Sequence, residues 1–260
     1  MATITASAGT ASLRKAADFR IELPHQPGQA HRSAAGWTID YKLQELTGGL
    51  ARAISTVPDQ FAEKPAFGSP WHYHDCDLQV ALVLEGSIEL GYRGDSYARA
   101  IKGDILFIPG HVLHDVSAPS ADYQVAEITF PGSFGTTEAT MPPRDVVTPA
   151  ATLGPSAAER IGVTDGVIEY RYPVAGGLDG RFAIRRLVRS RVDAFEPGMR
   201  SHDDAWRFTM VMQGWNDVDT GGGAMRAEAG DLLVVPEGAA YVDLGYSADY
   251  EAVQVRMLAQ

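Results

Sequence analysis

The stretch Trp71 to Gly86, WHYHDCDLQVALVLEG, places two histidines two residues apart, ahead of a long apolar run. Side chains alternate between the two faces of a β-strand, so His72 and His74 point one way and Tyr73 the other. Two imidazoles on one face are placed to share a divalent cation. Gln79, beyond the irregular Asp-Cys-Asp, can add an amide oxygen. His114 stands just past GDILFIPG, where a turn returns a neighbouring strand beside the first. Three histidines and one oxygen then converge, with room left for water or a substrate.

Other residues can also do chemistry. His111 lies in the turn before His114 and is expected to be exposed. Cys76 sits between Asp75 and Asp77; their charges raise a thiol's pKa and blunt its nucleophilicity, so an inert cysteine is expected. Glu127, in YQVAEITF, is an acid inside an apolar strand. A buried acid needs a partner or a task, which makes Glu127 a candidate general base, against a hydrogen-bonded or exposed carboxylate. The arginines of RFAIRRLVRSR can bind an anion, but read better as a solvated strand edge that resists aggregation.

The elements that position these groups are short. Runs such as QVALVLEG, SIELGYRG, DILFIPG and YQVAEITF alternate with Gly, Pro and Asp breaks, and no long amphipathic helix interrupts them. That spacing predicts an all-β antiparallel sandwich or barrel. A Pro-, Gly- and Thr-rich stretch follows, and the β pattern then resumes with RFTMVMQG, DLLVVPEG and YEAVQVRML. GDILFIPGHVLH from Gly103 and GDLLVVPEGAAY from Gly230 lie 127 residues apart, as do Pro109 and Pro236. His74 and His202, like Gly86 and Gly214, lie 128 apart, a one-residue change that a hairpin loop absorbs. The chain reads as a tandem duplication: a flexible arm over 1–38, a first copy over 39–135, a linker over 136–165 and a second copy over 166–260.

Composition bounds the function. With 260 residues, 45% hydrophobic and 21% charged, the chain can bury a substantial core. A net charge of −11 argues against nucleic acid, whose phosphates call for clustered Lys and Arg, and no helix-turn-helix segment is evident. One cysteine suits a reducing compartment. No apolar run reaches the roughly 18 residues that span a bilayer, and the first twenty residues lack the apolar core of a secretory signal. The expectation is a cytoplasmic protein with no membrane partner.

The pattern from Gly68 through His72, His74 and Gln79 to Gly86, followed by Gly103, Asp104, Pro109 and His114, resembles the two motifs of the cupin superfamily. With the repeat, the resemblance is to bicupins: two tandem double-stranded β-helix, or jelly-roll, barrels. In cupins the histidines of both motifs and a glutamate bind Fe, Mn, Ni, Cu or Zn. Carried over, the ligands are His72, His74, Gln79 and His114, holding one divalent ion per chain, Fe(II) favoured and Mn, Ni, Zn or Cu as alternatives. Two departures matter. Gln79 replaces the usual glutamate, which leaves an M²⁺ site its full charge. In the second copy the equivalents are Arg200, His202, Arg207 and Tyr241, and arginine does not ligate metals, so that site is expected to be empty.

The resemblance implies an Fe(II)-type dioxygenase acting on a small oxygenated or aromatic molecule. Alternatives are a non-redox isomerase or lyase of a carbonyl compound, with Glu127 moving a proton, and a non-catalytic small-ligand-binding cupin. Val80, Leu82 and Leu84 make a second apolar face on QVALVLEG, which the arm, the other copy or a second subunit must cover; a homodimer is expected.

Overall fold

β-Branched and aromatic runs bounded by Gly, Pro and Asp fit a pleated, half-buried surface better than a helix. In the computed structural model of the chain, which describes residues 9–23, 36–57, 71–93, 96–120, 122–140, 151–174, 178, 180–191 and 194–259, such runs pair into two seven-stranded antiparallel sheets. In the first sheet the order is Ala151–Leu153, Ile105–Pro109, Leu78–Glu85, Gln124–Phe130, Arg52–Val57, Gly36–Asp40 and Arg20–Leu23. In the second it is Ser12–Arg14, Leu232–Pro236, Trp206–Gln213, Glu251–Met257, Phe182–Arg189, Val167–Arg171 and Glu159–Thr164. The two orders match strand for strand, so the sequence repeat is a repeat of topology. Smaller sheets complete each jelly roll: Asp115–Ser117, Ser87–Arg93 and Ser96–Ile101 in the first, and Gly198–Arg200, Tyr241–Tyr246, Trp215–Asp219 and Ala224–Glu228 in the second.

The turn glycines repeat as well. Gly86 and Gly214 adopt φ of +68° and +67°, and a Cβ there would lie 2.2 Å from Ser120 Oγ and 2.1 Å from Ser247 Oγ. Only glycine allows both the left-handed turn and the close approach. The two serines accept the main-chain N–H of Ser87 (2.7 Å) and of Trp215 (2.9 Å).

The chain forms two compact units, Phe19–Pro155 and Met1–Asp18 together with Ser156–Gln260. The segments set apart in sequence as arm and linker contribute strands to both. Ser12 and Leu13 pair with Val234 and Leu233; Ala151 and Thr152 pair with Phe107 and Leu106, partners that differ by the repeat's own 127 residues. Each copy's leading strand therefore edges the other copy's sheet. Asp231 anchors the first of them by accepting from Ala16 N at 2.7 Å and from Lys15 Nζ.

Inside the first unit, Ala81, Val83, Leu106, Ile108 and Val125 of the large sheet pack on Ile88, Leu90 and Ala100 of the small one. The opposite face of the Leu78–Glu85 strand is covered too: Val80 and Leu82 have no exposed surface and Leu84 is half-buried. This burial is reached within one chain, so the apolar face that led to expecting a homodimer does not require one. One expectation is corrected. Phe182–Arg189 is not a solvated edge, because it pairs on both sides, with Glu251–Met257 and Val167–Arg171. Its charges face acids on the neighbouring strands, Arg185 to Glu169 and Arg186 Nε to Glu251 at 2.6 Å.

Candidate metal centre

His72 and His74 occupy alternate positions of a three-residue strand, as period-two reasoning requires. The turn after Pro109 brings His114 beside them. Gly110 makes that turn pass so close that a Cβ would sit 1.6 Å from Cys76 O. His111 N donates to His74 O at 2.9 Å, and His72 and His114 exchange main-chain bonds. The three ring centroids lie 4.4 to 5.1 Å apart, and one ligand nitrogen from each lies within 4.8 Å of the others. Nitrogens bound about 2.1 Å from one ion stand roughly 3 to 3.5 Å apart, so a small closure of the rings would bring these three to ligating distance.

Protonation favours the same use. His114 Nδ1 faces Val112 O at 2.9 Å. A carbonyl only accepts, so Nδ1 carries the proton and Nε2 presents its lone pair. His74 Nδ1 pairs with Thr136 Oγ1 at 2.9 Å, which takes the corresponding proton when Nε2 ligates. Burial, aided by the His72 and His74 rings, lowers His114 to about 3, against the raising effect of the hydrogen bond it donates to Val112 O. Burial and His72 lower His74 to about 4. Both are neutral at physiological pH, as ligands must be.

Gln79 is 6% exposed, and its Oε1 has no hydrogen-bond partner. It shares the interior face with Ala81 and Val83, one strand from Thr129. Glu127 is on the same face; burial raises its carboxyl, opposed by the Arg52 charge and a hydrogen bond from Gln79. The remaining expectations fall into place. His111 is exposed, in a left-handed turn (φ +61°), with Nε2 3.4 Å from Asp75. Cys76 is buried, and burial with Asp77 and Asp75 pushes its thiol up to about 11, unsuited to nucleophilic work. Gly68 lies outside the described residues.

Two polar residues escaped the sequence reading, Arg52 and Thr129. Arg52 pairs with Thr129 and Thr129 with Gln79, which sets one row across three strands on the interior face. Arg52 opens its strand and reads locally as an edge charge, while Thr129 is an ordinary strand former. Alternation in QVAEITF puts Thr129 on the face of Glu127, whereas Arg52 joins that face only through the pairing of its strand with Gln124–Phe130.

In the second unit the equivalent positions hold no ligand set. Arg200 pairs with Asp243 at 3.1 Å and with Asp165, and Arg207 pairs with Asp204. His202 is buried, with Nδ1 on Asp204 O at 3.2 Å. Tyr241 is raised by burial and the Asp243 charge.

Known proteins share this architecture. Residues 60–138 match the family model of the AraC-like ligand binding domain. Protein Ylba from E. coli, of the family-model DUF861, superposes with TM-score 0.65 at 14% identity, covering 98% of this chain and 93% of that one. Salicylate 1,2-dioxygenase from Pseudoaminobacter salicylatoxidans gives 0.63 at 14%, covering 95% and 81%. The fold is that of a bicupin. Oxalate decarboxylase from Bacillus subtilis, a protein with Mn(II) centres, gives 0.60 at 13%, covering 97% and 77%. No curated protein matches the bicupin in sequence. Among the described residues no helix is long and apolar enough to cross a membrane.

Proposed function

We propose that this bicupin is a cytoplasmic metal-dependent dioxygenase, with one Fe(II) held in the first barrel by His72, His74, His114 and Gln79, acting on a small oxygenated or aromatic molecule. The observation that carries the reading is the convergence of three imidazoles, two of them, His74 and His114, tied through Nδ1 so that Nε2 is left to ligate. The likeness in fold to a salicylate 1,2-dioxygenase and to an oxalate decarboxylase supports it. Bound iron supplies open coordination positions and one-electron chemistry that protein side chains lack. The chain does the rest. Gln79, being neutral, leaves the cation's charge to be met by an anionic ligand. Glu127, whose pKa burial raises, takes or returns a proton on the interior face. The apolar floor of Ala81, Val83 and Val125 keeps bulk water from the reacting end.

That Glu127 position favours a second reading, a non-redox isomerase or lyase in which the metal polarises a carbonyl. Two measurements separate these two readings and the non-catalytic one: metal analysis of protein purified without added metal, and an oxygen electrode run across candidate catechols, diketones and keto acids. Oxygen consumed in step with substrate supports the dioxygenase. Undiminished turnover under argon ends it, and the absence of turnover with every loaded metal leaves a binding protein.

A further inference from the structure

The Arg52, Thr129, Gln79 row is polar at the boundary of an apolar interior, and each member has a buried polar atom without a partner: Arg52 Nε, Thr129 Oγ1 and Gln79 Oε1. Thr129 and Gln79 are 5% and 6% exposed. Directly paired residues place their Cβ atoms about 5 Å apart, so the three groups are within reach of one small ligand. Among the described residues neither Arg52 nor Glu127 makes an ion pair within 4.0 Å, although Glu127 is close enough to feel the Arg52 charge. Leaving such atoms unmet costs more than most native sites tolerate.

The second barrel shows how this chain fills the same place. Its corresponding row is Ala183, Arg256 and Arg207, fixed by the pairs Arg256 with Ala183 and Arg256 with Arg207. There both arginines are satisfied by one carboxylate, that of Asp204, which accepts from Arg207 Nε and from Arg256 Nε (2.7 Å) and Nη2. Asp204 corresponds to Cys76 at the 128-residue offset shared by His74 and His202, so the first barrel has an uncharged thiol where the second has its own anion. We propose that the first barrel holds its small-molecule ligand by a carboxylate, bound on Arg52 and Thr129 next to Gln79, where the second barrel keeps Asp204. Arg52 gives the carboxylate a charged Nε–H and Thr129 a hydroxyl, while Gln79 Oε1 stays free for the metal or for a donor group beside the carboxylate. This rests on reading the first barrel as the ligand-binding one.

The experiment is calorimetric titration of metal-free protein with glycolate and 2-hydroxybenzoate, with their neutral amides glycolamide and 2-hydroxybenzamide, and with inorganic phosphate. At least one acid is expected to bind ten- to hundredfold more tightly than its amide and than phosphate. Arg52→Gln is expected to remove that preference, Arg52→Lys to restore part of it, and Thr129→Val to weaken the acid several-fold, each variant being checked for native circular dichroism. Where Arg52→Gln does not fold, Arg52→Lys and Thr129→Val decide. An acid and amide that bind alike, phosphate binding more tightly than either acid, no binding by any probe, or affinities unchanged in the folded variants overturns the proposal. Metal content measured on the same preparations separates the two readings: carboxylate binding by a protein that takes up no metal sinks the enzyme and keeps this inference.

Discussion

His72 and His114 exchange both main-chain hydrogen bonds, His72 N to His114 O at 3.0 Å and His114 N to His72 O at 2.9 Å, so two candidate ligands from distant motifs share one backbone bridge. In the second barrel Arg200 is paired with Tyr241 in the equivalent antiparallel register. The backbone frame survived duplication, and the side chains on it set which barrel can hold a metal. The protein is therefore expected to bind one equivalent per chain by inductively coupled plasma mass spectrometry. His114→Ala should lose it, with affinity down by about a hundredfold or more, and Tyr241→Phe should retain it. Two equivalents per chain would remove the assignment.

Gln79 supplies a neutral oxygen whose Oε1 lacks a partner. Gln79→Glu adds an anionic ligand of the same length, so metal should resist a chelator longer, by an expected tenfold or more in competition with EDTA. Faster metal loss from Gln79→Glu than from the parent would mean that Gln79 does not touch the ion.

His202 gives a pH dependence with a definite sign. Burial, helped by the Arg207 charge and opposed by Asp204, lowers it to about 4 from an ordinary 6.5. The unfolded chain therefore binds the extra proton first as pH falls. The stability contribution is fully present above pH 6.5 and is lost between 6.5 and 4, on the order of 3 kcal/mol in total. Urea unfolding of metal-free protein should show stability rising with pH across that window, and His202→Gln should make the rise shallower, the remainder coming from the lowered His74 and His114. A curve as steep in the variant as in the parent assigns the loss to other groups.

Leu82 has no exposed surface. Leu82→Asp forfeits about 2 kcal/mol of apolar burial and adds the larger cost of an unpaired buried charge. Insolubility, or a fall in Tm on the order of 10 °C, is expected by scanning calorimetry. Replacing Tyr73, which is partly exposed on the face away from the histidines, should shift Tm by no more than a degree or two. An unchanged Tm in Leu82→Asp would place this side chain at the surface.

What the sequence determined by itself was everything governed by spacing along one strand or by the repeat. Period two put His72 and His74 on one face and divided QVALVLEG into two apolar faces, and the shared offsets of 127 and 128 identified both barrels and the missing ligands of the second. Tertiary structure decided what depends on register between strands far apart in the chain. Arg52 reaches Gln79 only because Thr129 pairs with both; the arginines of Phe182–Arg189 face acids only because that strand is central; and Ser12–Arg14 edges the second sheet although it leads the first copy. Alternation tells which face a residue takes, but not which residue it meets there. That is fixed by how whole sheets bury their apolar faces, and such burial sums over many strands at once.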